Sequence, residues 1–99
     1  MDAALAVSRR FAENLVLARK GADLSQEALG WRASLHRTQI GMLERGGRVP
    51  RIDTLVKLAA ALELPLACPL LEGIGWEPPA VAQIGRFAVP VPDDAEPPS

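Results

Sequence analysis

Residues 24–46 read LSQEALGWRASLHRTQIGMLERG, and this stretch decides the fold. Ser25 is a good N-cap, and Gln26 and Glu27 follow it in what should be the first turn of a helix. Leu24, just before the cap, is the apolar residue that can staple the chain's entry. About seven residues later the pattern breaks at Ala33-Ser34-Leu35. His36 to Arg45 then reads as a second short helix, with Ile40 and Leu43 on its buried face and Gly46-Gly47 as its stop. Two short helices joined by a tight turn, the second flanked by arginines, give a unit whose second helix fits the width of the DNA major groove.

Working outward, a first helix is expected from about Asp2, as N-cap, to Lys20. Val7, Phe11, Leu15 and Ala18 recur at steps of four or three, and Arg19 and Lys20 lie favourably near the C-terminal dipole. After Val49-Pro50, residues Ile52, Leu55, Val56, Leu58, Ala59 and Leu62 mark one apolar side of a helix over 52–62. A short fifth helix is expected over Cys68–Glu72, with Pro69 at its first position, where its missing N–H costs nothing. Gly73 and Gly75 end it. Trp76-Glu77-Pro78-Pro79 reads as an irregular connector, and residues 85–89 as a short extended segment. The last ten residues hold four prolines and three acids and are expected to be disordered. The expected architecture is all-α, a five-helix domain over residues 1–75, with a C-terminal extension over 76–89 and a tail over 90–99.

Composition agrees. Apolar residues make up 48% of the chain but aromatics only 4%, so alanine and leucine, both strong helix formers, must fill the core. The net charge of −1 conceals an uneven distribution. Arg32, Arg37, Arg45, Arg48 and Arg51 face a single acid, Glu44, between residues 32 and 51. From residue 74 onward one arginine, Arg86, meets four acids, Glu77, Asp93, Asp94 and Glu96. The basic segment coincides with the paired short helices, which is where a nucleic-acid contact would need it.

Other chemistry is poorly supported. With one histidine and one cysteine there is no nucleophile–base pair and no metal set, and no Gly-rich phosphate loop is present. Neither an enzyme nor a cofactor is expected. Cys68 reads as a small core or helix-start residue. No run of 18 apolar residues occurs, and the acidic start Met1-Asp2-Ala3 is unlike a secretory signal. The expectation is a cytoplasmic protein with no membrane partner, associated with the nucleoid when DNA is bound.

At these residues the chain resembles the phage-repressor-type (Cro/C1, or XRE) helix-turn-helix regulators. The resemblance is carried by Leu24-Ser25-Gln26-Glu27-Ala28-Leu29, then Ile40, Leu43-Glu44-Arg45-Gly46 and Pro50, and extends over about residues 8–73. It implies a phage-repressor-like domain that binds double-stranded operator DNA as a homodimer, with repression as the default. It also implies roles for particular residues. Arg37, Thr38, Gln39, Gly41 and Met42 fall at exposed positions that face bases. Gln26, His36, Arg45, Gly46 and Arg48 fall near phosphates. The chain departs from the family's usual Gly-Val-Ser turn with Ser34-Leu35-His36, so Ser34 must take the left-handed geometry usually given to Gly, and His36 replaces a better N-cap. Gly30 stands where alanine is usual, at a helix cost of roughly 1 kcal/mol.

Two features lie outside that unit. Glu44 reads as structural, with Arg45 as a candidate ion-pair partner. Val16 and Leu17 fall off the Phe11-Leu15-Ala18 face at positions where the resembled family is mostly polar. Trp76, Ile84, Phe87 or Val89 could cover them, within the chain or across a dimer; alternatively they are incidental surface residues. A second function class therefore stays open, an antitoxin-type or other protein-interaction module whose C-terminal segment binds a second protein.

Overall fold

The structure is a computed structural model that describes residues 3–77 and 86–88. Four α-helices follow one another: α1 (Ala3–Gly21), α2 (Gln26–Ala33), α3 (Arg37–Glu44) and α4 (Ile52–Ala61). The expected fifth helix is a single 3₁₀ turn over Cys68–Leu71, too short for an α-helical ladder, with Pro69 in its first turn. The all-α reading of the domain holds and the helix count is corrected. The sequence turned irregular after residue 75, yet Gly75–Glu77 (β1) pairs antiparallel with Arg86–Ala88 (β2), Trp76 opposite Phe87. The first strand takes in Trp76 and Glu77, which were expected in an irregular connector, and the second falls inside the expected extended segment. Ile84, Val89 and the tail over 90–99 lie outside the described residues, as does the Asp2 cap.

Most of the core comes from residues whose spacing predicted it, with Leu70 added and Val7 and Ala18 only half-buried. Phe11 and Leu15 on α1, Leu29 on α2, Ile40 on α3, Leu58 on α4 and Leu70 on the 3₁₀ turn are fully buried, joined by Leu43, Leu62 and small alanines. Because side chains three or four residues apart share a helix face, each helix contributes one stripe to this centre. In this way α1 packs against α3 and the 3₁₀ turn, and α2 against α3 and α4. α4 departs from its apolar pattern. Ile52 is 81% exposed and Val56 58% exposed, so they do not belong to the buried side. The inner stripe is Leu55, Leu58, Ala59 and Leu62, and the apolar surface is wider than the neighbouring helices can cover.

Polar groups tie α1 to the loops. The Asn14 side-chain amide is buried and donates to the carbonyls of Leu70 (3.0 Å) and Glu72 (2.9 Å). Arg10 Nε donates to the same Glu72 carbonyl at 2.9 Å. Ser8 Oγ donates to the Gly46 carbonyl at 3.0 Å and fixes the loop that leaves α3. A 3₁₀ turn leaves carbonyls without internal partners, and Asn14 and Arg10 satisfy those of Leu70 and Glu72. Among the described residues no helix is long and apolar enough to cross a membrane.

Candidate nucleic-acid interface

The unit over residues 24–46 is assembled by caps at both helix starts and a tight turn between them. Ser25 Oγ accepts the Ala28 N–H at 3.0 Å and caps α2. Ser34 sits in the left-handed region at φ 58°, ψ 39°, as the absence of glycine there required. The turn folds back so closely that the Leu35 N–H donates to the Gly30 carbonyl at 2.8 Å. A Cβ on Gly30 would stand 2.6 Å from the Leu35 carbonyl oxygen, inside any tolerable contact. Gly30 is therefore not a mere loss of helix propensity; the turn has no room for the usual alanine.

α3 begins with a histidine cap. His36 Nδ1 accepts the Thr38 backbone N–H at 3.1 Å, and the Gln39 side-chain oxygen accepts the His36 N–H at 2.9 Å. The two bonds form a reciprocal capping box, so His36 replaces Ser or Asp without leaving the helix start unsatisfied.

The other end of α3 is held by charge. Glu44 hydrogen-bonds through one oxygen to Arg19 Nε, and its other oxygen accepts from Arg19 at 3.0 Å and from Gln26 Nε2 at 2.9 Å. Only 4% of the Glu44 side chain is exposed. The hydrogen bond to Glu44 raises the Arg19 pKa above its ordinary value; burial opposes this, and the Glu44 charge adds to it. Arg19 also donates to the Leu24 carbonyl at 2.9 Å, so one guanidinium clamps α1, the entry to α2 and the end of α3. Glu44 is structural, as expected, but its partner is Arg19 rather than its neighbour Arg45.

The expected contact residues divide by burial. Gln26, His36, Arg37, Thr38, Gln39, Arg45 and Arg48 are exposed, and Met42 is half-buried. Two expected contacts are turned inward instead. Gly41 is buried, and the Arg45 guanidinium lies over it, 3.0 Å from where a Cβ would be. Gly46 is also buried, with its N–H bonded to Leu43 and its carbonyl to Ser8, so its backbone serves the loop. At 3.9 Å the Arg37–Glu27 pair is long, and both side chains are mostly exposed. Such a pair holds Arg37 weakly and leaves it free to turn toward another anion.

The sequence reading assigned nothing to Trp31, which is 87% exposed. It lies with Arg32, His36 and Arg37 around a cleft between α2 and the start of α3. Its position four residues after Glu27, away from the inward Leu29 and Ala33, was the available signal. Cys68 is at a helix start but exposed. Leu17 is 71% exposed and Val16 half-buried. Of the residues expected to cover them, Ile84 and Val89 lie outside the described residues. Trp76 and Phe87 are backbone partners in the ribbon; the packing of their side chains lies outside what is described. Among the described residues no cluster of His, Cys, Asp and Glu is suited to a metal.

The helix-turn-helix family model (HTH_3) matches residues 15–67, more than half of the chain. The chain belongs to the helix-turn-helix family. As a member of it, the protein is a DNA-binding regulator of transcription and not an enzyme. Solved structures agree with this assignment. The restriction-modification controller protein C.AhdI from Aeromonas hydrophila is 33% identical with a TM-score of 0.61, over 64% of this chain and 94% of that one. The hypothetical transcription factor NHTF from Neisseria is 32% identical with a TM-score of 0.62, over 66% and 74% of the two chains. An HTH_3 family transcriptional regulator from Vibrio cholerae is 28% identical with a TM-score of 0.65, over 68% of this chain. The helix-turn-helix protein spans 37% of the length of that regulator. No curated protein matches the chain significantly.

Proposed function

We propose that this protein represses transcription by occupying a two-fold symmetric operator as a homodimer. Arg37, Thr38, Gln39 and Met42 read bases, and Gln26, His36, Arg45 and Arg48 grip phosphates. The observation that carries this reading is the joint exposure of Arg37 and Thr38 at the start of α3, while Ile40 and Leu43 anchor the same helix in the core. Gln39 uses its side-chain oxygen in the cap and keeps its amide N–H groups for a base, whereas Gly41 lies beneath Arg45 and leaves the base-reading set. The helical body over 1–75 would carry this function, with 76–89 as an extension and 90–99 as a tail, in the cytoplasm and on the nucleoid when bound.

Selection of bound sequences from random duplex DNA tests the reading directly. The expected product is an inverted repeat with half-sites about 34 Å apart, one turn of DNA. Recovery of unrelated sequences would refute it. Within that operator, Arg37→Ala is expected to lose about tenfold in discrimination at one base step. Arg48→Ala should instead weaken all sequences alike and reduce the salt slope by about one. Binding titrations on operator and random DNA at several salt concentrations separate the two. Equal losses on both DNAs for Arg37→Ala would remove it from base reading.

Homodimerisation is supported by the apolar pair Ile52 and Val56, one turn apart and exposed on α4. The double change Ile52→Lys, Val56→Lys should leave the monomer folded, since neither side chain is in the core. Sedimentation is expected to show monomers, half-site affinity to persist, and binding to the full operator to weaken at least tenfold as the second half-site no longer adds to the first. An intact dimer would place the interface elsewhere, with exposed Leu17 on α1 as the next surface to change.

A further inference from the structure

We infer that His36 determines which bases Thr38 reads, by fixing the Thr38 hydroxyl as a hydrogen-bond acceptor toward the DNA groove. The inference rests on the proposed placement of Thr38 against base edges.

The argument starts from the helix cap. A backbone N–H is a donor and nothing else, and the Thr38 N–H points at His36 Nδ1 from 3.1 Å. Nδ1 must then be the acceptor, which sets the imidazole as the neutral form with its proton on Nε2. The Thr38 side-chain oxygen lies 2.8 Å from the same nitrogen. With no proton on Nδ1, this short contact is a hydrogen bond only if the Thr38 hydroxyl donates into the lone pair it shares with the Thr38 N–H, a three-centre arrangement. A hydroxyl has one proton, and here it is committed to His36. What Thr38 has left for a ligand is lone pairs.

The major groove distinguishes bases by such groups. Adenine offers its N6 amino donor and cytosine its N4 amino donor, whereas guanine and thymine present carbonyl acceptors at the corresponding positions. A Thr38 oxygen that can only accept bonds to an amino group and meets a carbonyl with repulsion. An unrestrained threonine hydroxyl would rotate and tolerate either. The preference thus comes from a residue that need not touch the base, and His36 acts as a positioning residue.

The experiment uses the full chain and the operator found by selection at about pH 8. The step facing Thr38 is the one whose preference disappears in Thr38→Val. Adenine or cytosine is expected there, and exchange for guanine or thymine should weaken binding roughly fivefold, the effect of one hydrogen bond. His36→Ala leaves the Thr38 hydroxyl free to rotate, so its ratio should fall to near one, whereas His36→Asn keeps a side-chain acceptor at the cap and should keep the preference. Thermal melts confirm that every variant is folded. A preference for guanine or thymine would overturn the inference, as would a His36→Ala ratio equal to that of the wild-type protein. No base step responding to Thr38→Val, on an operator that is otherwise read specifically, would also refute it while leaving DNA recognition by Arg37 intact.

Discussion

Glu44→Ala is expected to lower the unfolding free energy by about 3 kcal/mol, the effect of breaking a buried ion pair by removing one partner. For a domain of this size that is a fall in Tm on the order of 15 °C. The magnitude follows from what remains behind. Arg19, with its side chain 13% exposed, would keep its bond to the Leu24 carbonyl but lose both bonds to the carboxylate and the counter-charge itself. Gln26 would lose its anchor as well. Glu44→Gln preserves the shape and part of the hydrogen bonding, and should fall between the wild-type protein and the alanine variant. Glu27→Ala is the control, because its exposed pair with Arg37 should contribute less than about 1 kcal/mol. Urea unfolding of the three variants orders them. A loss for Glu44→Ala as small as that of Glu27→Ala would show that the clamp does not hold the fold.

The same clamp connects stability to DNA binding. Gln26, a proposed phosphate contact at the start of α2, is held at 2.9 Å by a carboxylate at the end of α3. The end of α3 is in turn pinned to α1 through Arg19. Both short helices are therefore fixed relative to one long helix by charged hydrogen bonds, which are shorter and stronger than neutral ones. Two helices of eight residues could not hold such an orientation through their own backbone bonds.

How much of this was legible in the sequence depends on how far the deciding interaction reaches along the chain. Phe11, Leu15, Leu29, Ile40 and Leu43 were legible because helical spacing selects the buried face locally. Ser25 and Ser34 were legible because caps and left-handed turns act within three residues. Asn14 was not, since its partners are carbonyls 56 and 58 residues away. The partner of Glu44 is 25 residues distant, while Arg45 sits adjacent and drew the expectation. On α4, Ile52 and Val56 fitted the apolar stripe, but burial also needs a neighbour to cover it. In the recognition unit, Thr38 was marked as a reading residue from its position. The 2.8 Å contact between its side-chain oxygen and His36 Nδ1 depends on the cap geometry, which position alone does not give.

Gly30→Ala tests the most compressed point of the turn, and two local rules disagree about its sign. Helix propensity favours alanine over glycine by about 1 kcal/mol, which would make the substitution stabilising. Packing opposes it. The new Cβ would meet the Leu35 carbonyl at 2.6 Å, and that oxygen belongs to the backbone, so no flexible side chain can swing away. Relief requires the chain at Leu35 to move outward, at the expense of the Leu35-to-Gly30 hydrogen bond and the left-handed Ser34 geometry that makes it. Overpacking of this kind costs about 1–3 kcal/mol. We expect a net destabilisation of about 2 kcal/mol, read by urea unfolding. Because the displaced carbonyl is one residue from the His36 cap, α3 should shift with it, and operator affinity should fall more than tenfold while the protein is still folded. Ser34→Gly provides the contrast, since it removes left-handed strain without adding an atom and should stabilise by up to about 1 kcal/mol with DNA binding kept. If Gly30→Ala instead raised the unfolding midpoint, propensity would outweigh the close approach. The turn would then be looser than the 2.8 Å bond across it indicates.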